Sequence, residues 1–536
     1  MSVDTEAASG VSPPGERPTR PHLGDELELQ IDSLAYGGEG VARLGEEGYV
    51  VFVAGAIPGD RVRAVVYKRK RSYAHARAVE ILEPSPERIP PRADHPGVPW
   101  QVLPYERQLQ IKRDQVAEAL RRIGHLDGFE LEPIVPAIEQ WRYRNKLEYS
   151  FGTSSGRGEG RERDGDSGNR GAPGDLDSEQ GTDVCRGSEQ NGELVCGFHA
   201  SAGGMRVVPI ADCLLASELG NRAREVALGW CREQGLTAWE RSGGGRGDER
   251  SGRVGPDRNG RARLRNLVVR EGRRTGKLQV RLVSTDGELD AGDLALTLAG
   301  ELGESLSGVL WTRTRSLAET TAGGETELVW GAAELAERLG ELELEISAEA
   351  FMQTNTEMAE VLYGIVAEYA SLQGWERVYD LYCGIGTIAL TLARHAGEVY
   401  GIELLERAVA DAIAAARRNG IANAHFYAGD TRLALPELLT HAGRPDVLVV
   451  DPPRAGLSRK VVRRILEAAP KRIVYVSCNP TTLAPNAAEL VQAGWGLKKV
   501  RPVDMFPQTH HIECVALFER GDASGRVDVS RAELAG

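Results

Sequence analysis

This chain has no hydrophobic run approaching the roughly 18 residues that a membrane span needs, and Met1 to Pro21 is polar, rich in Pro, Gly and Ser, with no apolar stretch. No transmembrane segment and no secretory leader are therefore expected, and residues 1–23 read as a disordered tail. Cysteine is scarce: seven in 536 residues, at 185, 196, 213, 231, 383, 478 and 514, with no CxxC pair. That argues against a disulfide scaffold and points to a reducing, cytoplasmic setting in which a thiolate can do chemistry. Positive charge is in deficit, with 65 Lys and Arg against 78 Asp and Glu and a net charge of −13. Spread evenly, this balance would count against a nucleic-acid partner. It is not spread evenly: Arg61, Arg63, Lys68, Arg69, Lys70, Arg71 and Arg77 crowd one short segment. A local basic patch is what phosphate contact requires, and Lys68, Arg69, Lys70 and Arg71 are its candidates. A solvated strand face accounts for the same charges equally well.

The length predicts two to four domains. In residues 24–83, Leu27, Leu29 and Ile31 alternate with polar residues, and the glycine-rich turn Ala35-Tyr36-Gly37-Gly38-Glu39-Gly40 precedes further short apolar runs. This predicts a small OB-like β-barrel. A proline-rich linker follows over 84–104, then helical spacing over 105–123, within a linker and central α+β domain that extends to residue 345. The stretches 154–192 and 241–261 are dominated by Gly, Arg, Asp, Glu and Ser. Segments so poor in apolar residues cannot offset their chain entropy by burial, so both read as disordered insertions. Over 346–522 strands and helices alternate, predicting a doubly wound α/β domain with a parallel core and a closing antiparallel hairpin. Residues 523–536 form a tail.

Three strands of that domain end in turns with chemical character, where open α/β sheets bind ligands. Val378-Tyr379-Asp380-Leu381-Tyr382-Cys383-Gly384-Ile385-Gly386-Thr387 is a strand, a glycine turn and a helix start. About 20 residues on, Glu403 ends the next strand, where an acid accepts hydrogen bonds from ribose. No third glycine completes the dinucleotide pattern, which favours S-adenosylmethionine over NAD or FAD. Val447-Leu448-Val449-Val450 leads into Asp451-Pro452-Pro453-Arg454, a stiff turn aimed at the cleft. Arg472-Ile473-Val474-Tyr475-Val476 leads into Ser477-Cys478-Asn479-Pro480, where a cysteine beside a nucleotide-type site suggests covalent catalysis. Glu513, after Phe506-Pro507-Gln508-Thr509-His510-His511-Ile512, is equally a solvated strand end or a general base. Two adjacent histidines raise the question of a metal, but no ligand cluster accompanies them, and no metal is expected.

Together, the glycine turn, DPPR, SCNP and FPxTxHxE resemble the motifs of the S-adenosylmethionine-dependent RNA uracil-C5 methyltransferases, in that family's order. Residues 24–83 resemble the TRAM domain, an OB-like RNA-binding module. The resemblance implies a Rossmann-like methyltransferase fold behind the barrel and a central RNA-binding region. It implies cofactor contacts at Gln353 (in Phe351-Met352-Gln353-Thr354-Asn355), Tyr382, Thr387, Glu403, Asp430 and Asp451, although relatives often have asparagine where Thr387 stands. It further implies Cys478 as nucleophile and Glu513 as the base that removes the C5 proton. Many relatives hold an iron–sulfur cluster on four cysteines. Here residues 89–108 contain no cysteine and only Cys213 matches the fourth, so no cluster is expected. Gln508 stands where histidine is common.

The reaction expected is C5 methylation of a uridine in RNA, with 23S rRNA favoured because tRNA-specific bacterial relatives usually lack a TRAM domain, and tRNA as the alternative. No membrane and no obligate protein partner are expected. The other readings are a cytosine-C5 methyltransferase, an inactive RNA-binding protein and an NAD oxidoreductase. Intact Cys478, Glu513 and Gln353 argue against inactivity, and the missing third glycine argues against NAD.

Overall fold

The computed structural model describes residues 20–45, 48–154, 192–200, 206–240, 254–318 and 320–521. Most of both tails, Cys185 and most of the two low-complexity stretches lie outside the described residues. The second stretch needs correcting at its end, because residues 254–261 are held in place. Val254 is buried. Asp257 accepts the amides of Asn259 and Arg261 at 2.8 and 2.9 Å, and the Arg263 guanidinium donates to the Gly255 carbonyl. One aspartate turn and one apolar anchor order a segment whose average composition predicts none.

The barrel is built from Glu26–Gln30, Ser33–Leu34, Gly40–Leu44, Tyr49–Ala54, Arg61–Arg69 and Tyr73–Glu83, in the spatial order first, fifth, sixth, fourth, third, second. The first and second strands, at the two ends of that order, are one stretch of chain that turns at Ile31 and Asp32, so the sheet curls back on itself. Period-two alternation puts Leu29, Ile31, Val51, Val53, Val62 and Ala74 inside.

The proline-rich segment is a packed bridge, not a free tether. Trp100 and Leu103 are buried with Leu34 and Ile57 of the barrel and Ile111 of the helix Tyr105–Glu118. The Trp100 amide donates to the Gln508 carbonyl at 3.0 Å.

The central domain is a seven-stranded sheet, with Val207–Pro209 at one edge and Glu325–Gly331 at the other. The helices Glu218–Glu233 and Ala291–Leu302 pack over it. Cys213 is buried in this core, its Sγ 3.3 Å from Nε2 of His95, which the proline-rich segment supplies.

The C-terminal sheet has eight strands, in the order Ala424–Ala428, Glu398–Glu403, Arg377–Leu381, Val447–Val450, Arg472–Ser477, Glu513–Arg520, Trp495–Val503 and Glu130–Leu131. The first five are mutually parallel, and Glu513–Arg520 runs antiparallel to both neighbours. Strands such as Val447-Leu448-Val449-Val450 are apolar throughout because helices cover both faces. The edge pair Glu130–Leu131 comes from the segment after the bridge and lies parallel to Trp495–Val503. No helix among the described residues is long and apolar enough to cross a membrane.

Candidate active site

Five parallel strands end along one edge of the C-terminal sheet, and the last strand begins there. Leu381 is level with Ile402 on one side and Val450 on the other, and Val450 is level with Tyr475. The residues just beyond, Tyr382, Glu403 and Asp451, are thereby gathered along one line, and Cys478 follows at the end of the neighbouring strand. The antiparallel strand adds a fifth. Ser477 pairs with Cys514, so Cys478 and Glu513, which flank that pair, come to the same end of neighbouring strands, and the Glu513 carboxylate bears on the Cys478 thiol.

This edge is desolvated. Glu513 is buried, which holds its carboxyl well above the usual range; Asp451 adds to the shift and Arg454 opposes it. Burial pushes Asp451 up to about 7. The Cys478 thiol is pushed up to about 11, first by burial and then by Glu513 and Asp451, while Arg454 pulls it down. A cation arriving at this edge would favour the ionised form of all three acids. The Arg454 carbonyl accepts from Asn479 Nδ2 and Thr482 Oγ1, each at 3.1 Å, and its Nη2 lies 3.3 Å from His511 Nδ1. Burial pushes His510 and His511 down to about 4 and about 3, so both are neutral near pH 7.

The glycine turn forms the other half. Gly384 and Gly386 adopt φ of +56° and +80°, for different reasons. A Cβ on Gly386 would meet the Phe426 ring at 2.8 Å, so this glycine serves packing. Over Gly384 there is open space, which lets a ligand approach the backbone. Asp380, fully buried beneath the turn, accepts the Ala389 amide with Oδ2 and leaves Oδ1 without a partner. Glu403 accepts the amides of Gly384 (3.1 Å) and Leu405 (3.0 Å), which aims its carboxylate along the edge. The open backbone above Gly384, the oriented acid and the cation-responsive edge together fit a nucleoside carrying a positive charge.

The Phe351-to-Asn355 motif is clamped from two sides. Asn145, entering the central sheet, donates to the Gln353 carbonyl (2.9 Å) and to Thr356 Oγ1 (2.8 Å). Asn355 caps the helix Thr356–Ala370 and donates to the Met505 carbonyl at 2.9 Å. The loop ahead of Glu513 is held in turn by a buried Lys112–Asp504 pair (2.6 Å) and by Gln108 and Gln508, which exchange hydrogen bonds at 2.9 and 3.0 Å.

Like Glu403, two more of the residues predicted for the cofactor have side chains engaged by the protein. The Thr387 hydroxyl donates to Tyr363 at 3.0 Å. Asp430 caps the helix Thr431–Ala442 and is ion-paired with Arg432. Tyr382 adopts φ +66° beside them, half-buried. On the barrel, Lys68, Arg69, Lys70 and Arg71 are exposed at the tip of a hairpin. The basic segment divides there, because Arg61 is paired with Glu28 and Glu83, and Arg63 with Glu80. Sequence reasoning missed Asn145, Lys112, Asp504 and Tyr36, whose hydroxyl donates to the Cys478 carbonyl at 2.9 Å. None of the four carried a local signal, since their partners lie far away in the chain.

Comparison with known proteins agrees with this geometry. The family description "tRNA (Uracil-5-)-methyltransferase" matches residues 334–521, and "TRAM domain" matches residues 22–79. An "Uncharacterized RNA methyltransferase" of Halalkalibacterium halodurans is 32% identical, with 92% of this chain aligned to 97% of it. One of Chlorobaculum tepidum is 35% identical over 95% of this chain and 100% of its own. The crystal structure of Pyrococcus abyssi tRNA (uracil-54, C5)-methyltransferase in complex with S-adenosyl-L-homocysteine superposes with a TM-score of 0.65 at 24% identity, covering 92% of this chain and 100% of that one, which shows a shared fold. With a TRAM domain ahead of a uracil-5-methyltransferase domain and near full-length RNA methyltransferase relatives, the chain belongs to the S-adenosylmethionine-dependent RNA uracil-C5 methyltransferases.

Proposed function

We propose that this enzyme methylates C5 of a specific uridine, favouring 23S rRNA, through a covalent adduct between Cys478 and C6 of uracil. The pairing of Ser477 with Cys514, which brings Cys478 and Glu513 to the same end of neighbouring strands, carries this reading. Bound S-adenosylmethionine supplies an electrophilic methyl on a positively charged sulfonium, next to acids whose ionisation a cation assists. Gln353, Tyr382, Glu403 and Asp451 would hold it over Gly384, with Thr387 and Asp430 acting through the turns they brace. The Cys478 thiolate adds to C6, the 5,6 double bond is lost, and C5 gains the enolate character needed to take a methyl group. Glu513, as carboxylate, then removes the C5 proton, and elimination expels Cys478 and restores the ring. The base must meet the thiol and the methyl donor together, so it leaves its stack to reach them. Lys68, Arg69, Lys70 and Arg71 would contact the RNA backbone, which supplies affinity and register without reading bases.

The TRAM domain supports rRNA, because the resemblance implies that tRNA-specific bacterial relatives usually lack it. The Pyrococcus abyssi enzyme, named for tRNA and sharing this fold along 92% of the chain, makes tRNA the second reading. The test is methyl transfer from labelled S-adenosylmethionine to unmodified rRNA and tRNA, assayed separately and digested to nucleosides. Label in 5-methyluridine from rRNA is expected; label from tRNA alone would replace the substrate. Cys478→Ala is expected to abolish both transfer and the gel-stable adduct with 5-fluorouridine RNA, whose fluorine blocks the last proton removal. Transfer by that variant would sink the covalent mechanism.

A further inference from the structure

The barrel reaches into the catalytic edge. Its turn Ala35-Tyr36-Gly37-Gly38-Glu39-Gly40 is stiff: Ala35 and Glu39 bond across it at 2.9 Å, and Gly38 bonds back to Ala35 at 3.0 Å. The Glu39 carboxylate lies 3.0 Å from His75 Nδ1 on the barrel wall, and Gln115 of the helix Tyr105–Glu118 donates to the Leu34 carbonyl at 3.2 Å. From this brace Tyr36 donates to the carbonyl of Cys478, 442 residues away, at 2.9 Å. Gly38 lies against His510 so closely that a Cβ there would stand 2.9 Å from the His510 Cβ. The residues flanking the thiol are secured locally: Ser477 Oγ and Asn479 bond each other at 3.1 and 3.2 Å, and Asn479 caps the helix Pro480–Gln492. Cys478 lies one residue past the last ladder pair of its strand, and Tyr36 holds it from outside that domain.

We propose that Tyr36 is a positioning residue for the nucleophile: its hydrogen bond to the Cys478 carbonyl fixes the peptide that aims the thiol at uracil C6. The proposal rests on the reading of Cys478 as nucleophile. It gives the barrel a second task besides holding RNA, since the domain that binds the substrate also completes the catalytic geometry. Donation to that carbonyl also withdraws negative partial charge from the neighbourhood of a forming thiolate. The charged and titratable groups facing the thiol are Glu513, Asp451, Arg454, Tyr36 and Cys514. Burial pushes the Tyr36 phenol up to about 12, so it remains a donor throughout the neutral range.

The test is Tyr36→Phe in the full-length protein, with kcat and KM for RNA measured separately. Alkylation of Cys478 by iodoacetamide is followed against pH at the peptide level by mass spectrometry in the free protein. Losing one hydrogen bond is expected to lower kcat about tenfold, to leave KM within about twofold, and to move the alkylation profile to higher pH. Gly38→Ala, which wedges the turn away from His510, is expected to lower kcat in the same way. An unchanged kcat with an unchanged alkylation profile overturns the proposal, and so does a loss confined to KM, which would make Tyr36 an RNA contact. The alkylation profile does not depend on turnover. If Cys478→Ala retained activity, the nucleophile reading would fall while the profile still reported whether the Tyr36 bond to the Cys478 carbonyl influences the thiol.

Discussion

The barrel and the C-terminal sheet use charge in opposite ways. On the barrel, Lys68, Arg69, Lys70 and Arg71 stand in solvent at a hairpin tip, while the arginines nearer the wall are neutralised by Glu28, Glu80 and Glu83. At the sheet edge, Asp380 and Glu513 are buried and Asp451 is held up to about 7 by burial, with Arg454 the cation that opposes these shifts at Glu513 and Cys478. Exposed charge acts at a distance, weakly and in a salt-dependent way. Buried charge is costly to form, and that cost is what lets proton positions change during a reaction. One region is suited to gathering a polyanion and the other to moving protons.

Three variants test how separate these roles are, beginning with the largest effect. Glu513→Gln keeps the shape of the buried group and removes its basicity. Turnover is expected to fall about 10²–10⁴-fold, with a covalent protein–RNA adduct accumulating on ordinary uridine RNA in a denaturing gel. Undiminished turnover would place the base elsewhere and break the contrast.

Lys112→Met removes the cation of a fully buried pair and strands the Asp504 carboxylate, whose Oδ2 already lacks a partner. A loss of about 3–5 kcal/mol in unfolding free energy is expected from denaturant titration. The Lys112 ammonium also donates to the Phe506 carbonyl at 3.1 Å, so the loop ahead of Glu513 should loosen as well. A change under 1 kcal/mol would mean that burial at this edge costs little.

Replacing Lys68, Arg69, Lys70 and Arg71 together with serine should leave stability and kcat nearly unchanged. It should raise KM for RNA and flatten the log–log salt dependence of binding by up to about 3, since each released counterion on single strands contributes about 0.7. A drop in kcat with an unaltered salt slope would reverse the assignment.

Local chemistry made much of this legible in the sequence. The barrel, the parallel strands and the terminal hairpin followed from alternation, apolar runs and glycine turns, which are properties of consecutive residues. The strand-end motifs could be placed on the sheet edge for the same reason. Charge was harder to read: Arg61 and Arg63 looked like part of one basic cluster with Lys68 to Arg71, and only their cross-strand partners separate them. Proline in residues 84–104 suggested a linker, but Trp100 and Leu103 bury that segment between barrel and helix. Thr387 had no visible partner in the sequence, and the fold supplies Tyr363.

By itself the sequence determined where each strand ends and which reactive group stands there, because a turn is written in the few residues that make it. Only the tertiary structure decided which of those groups meet. Glu513 comes beside Cys478 because their strands pair at Ser477 and Cys514, Tyr36 reaches it from a different domain, and Lys112 meets Asp504 inside the core. Such contacts depend on how whole layers pack, and packing joins residues far apart in the chain that share no local pattern.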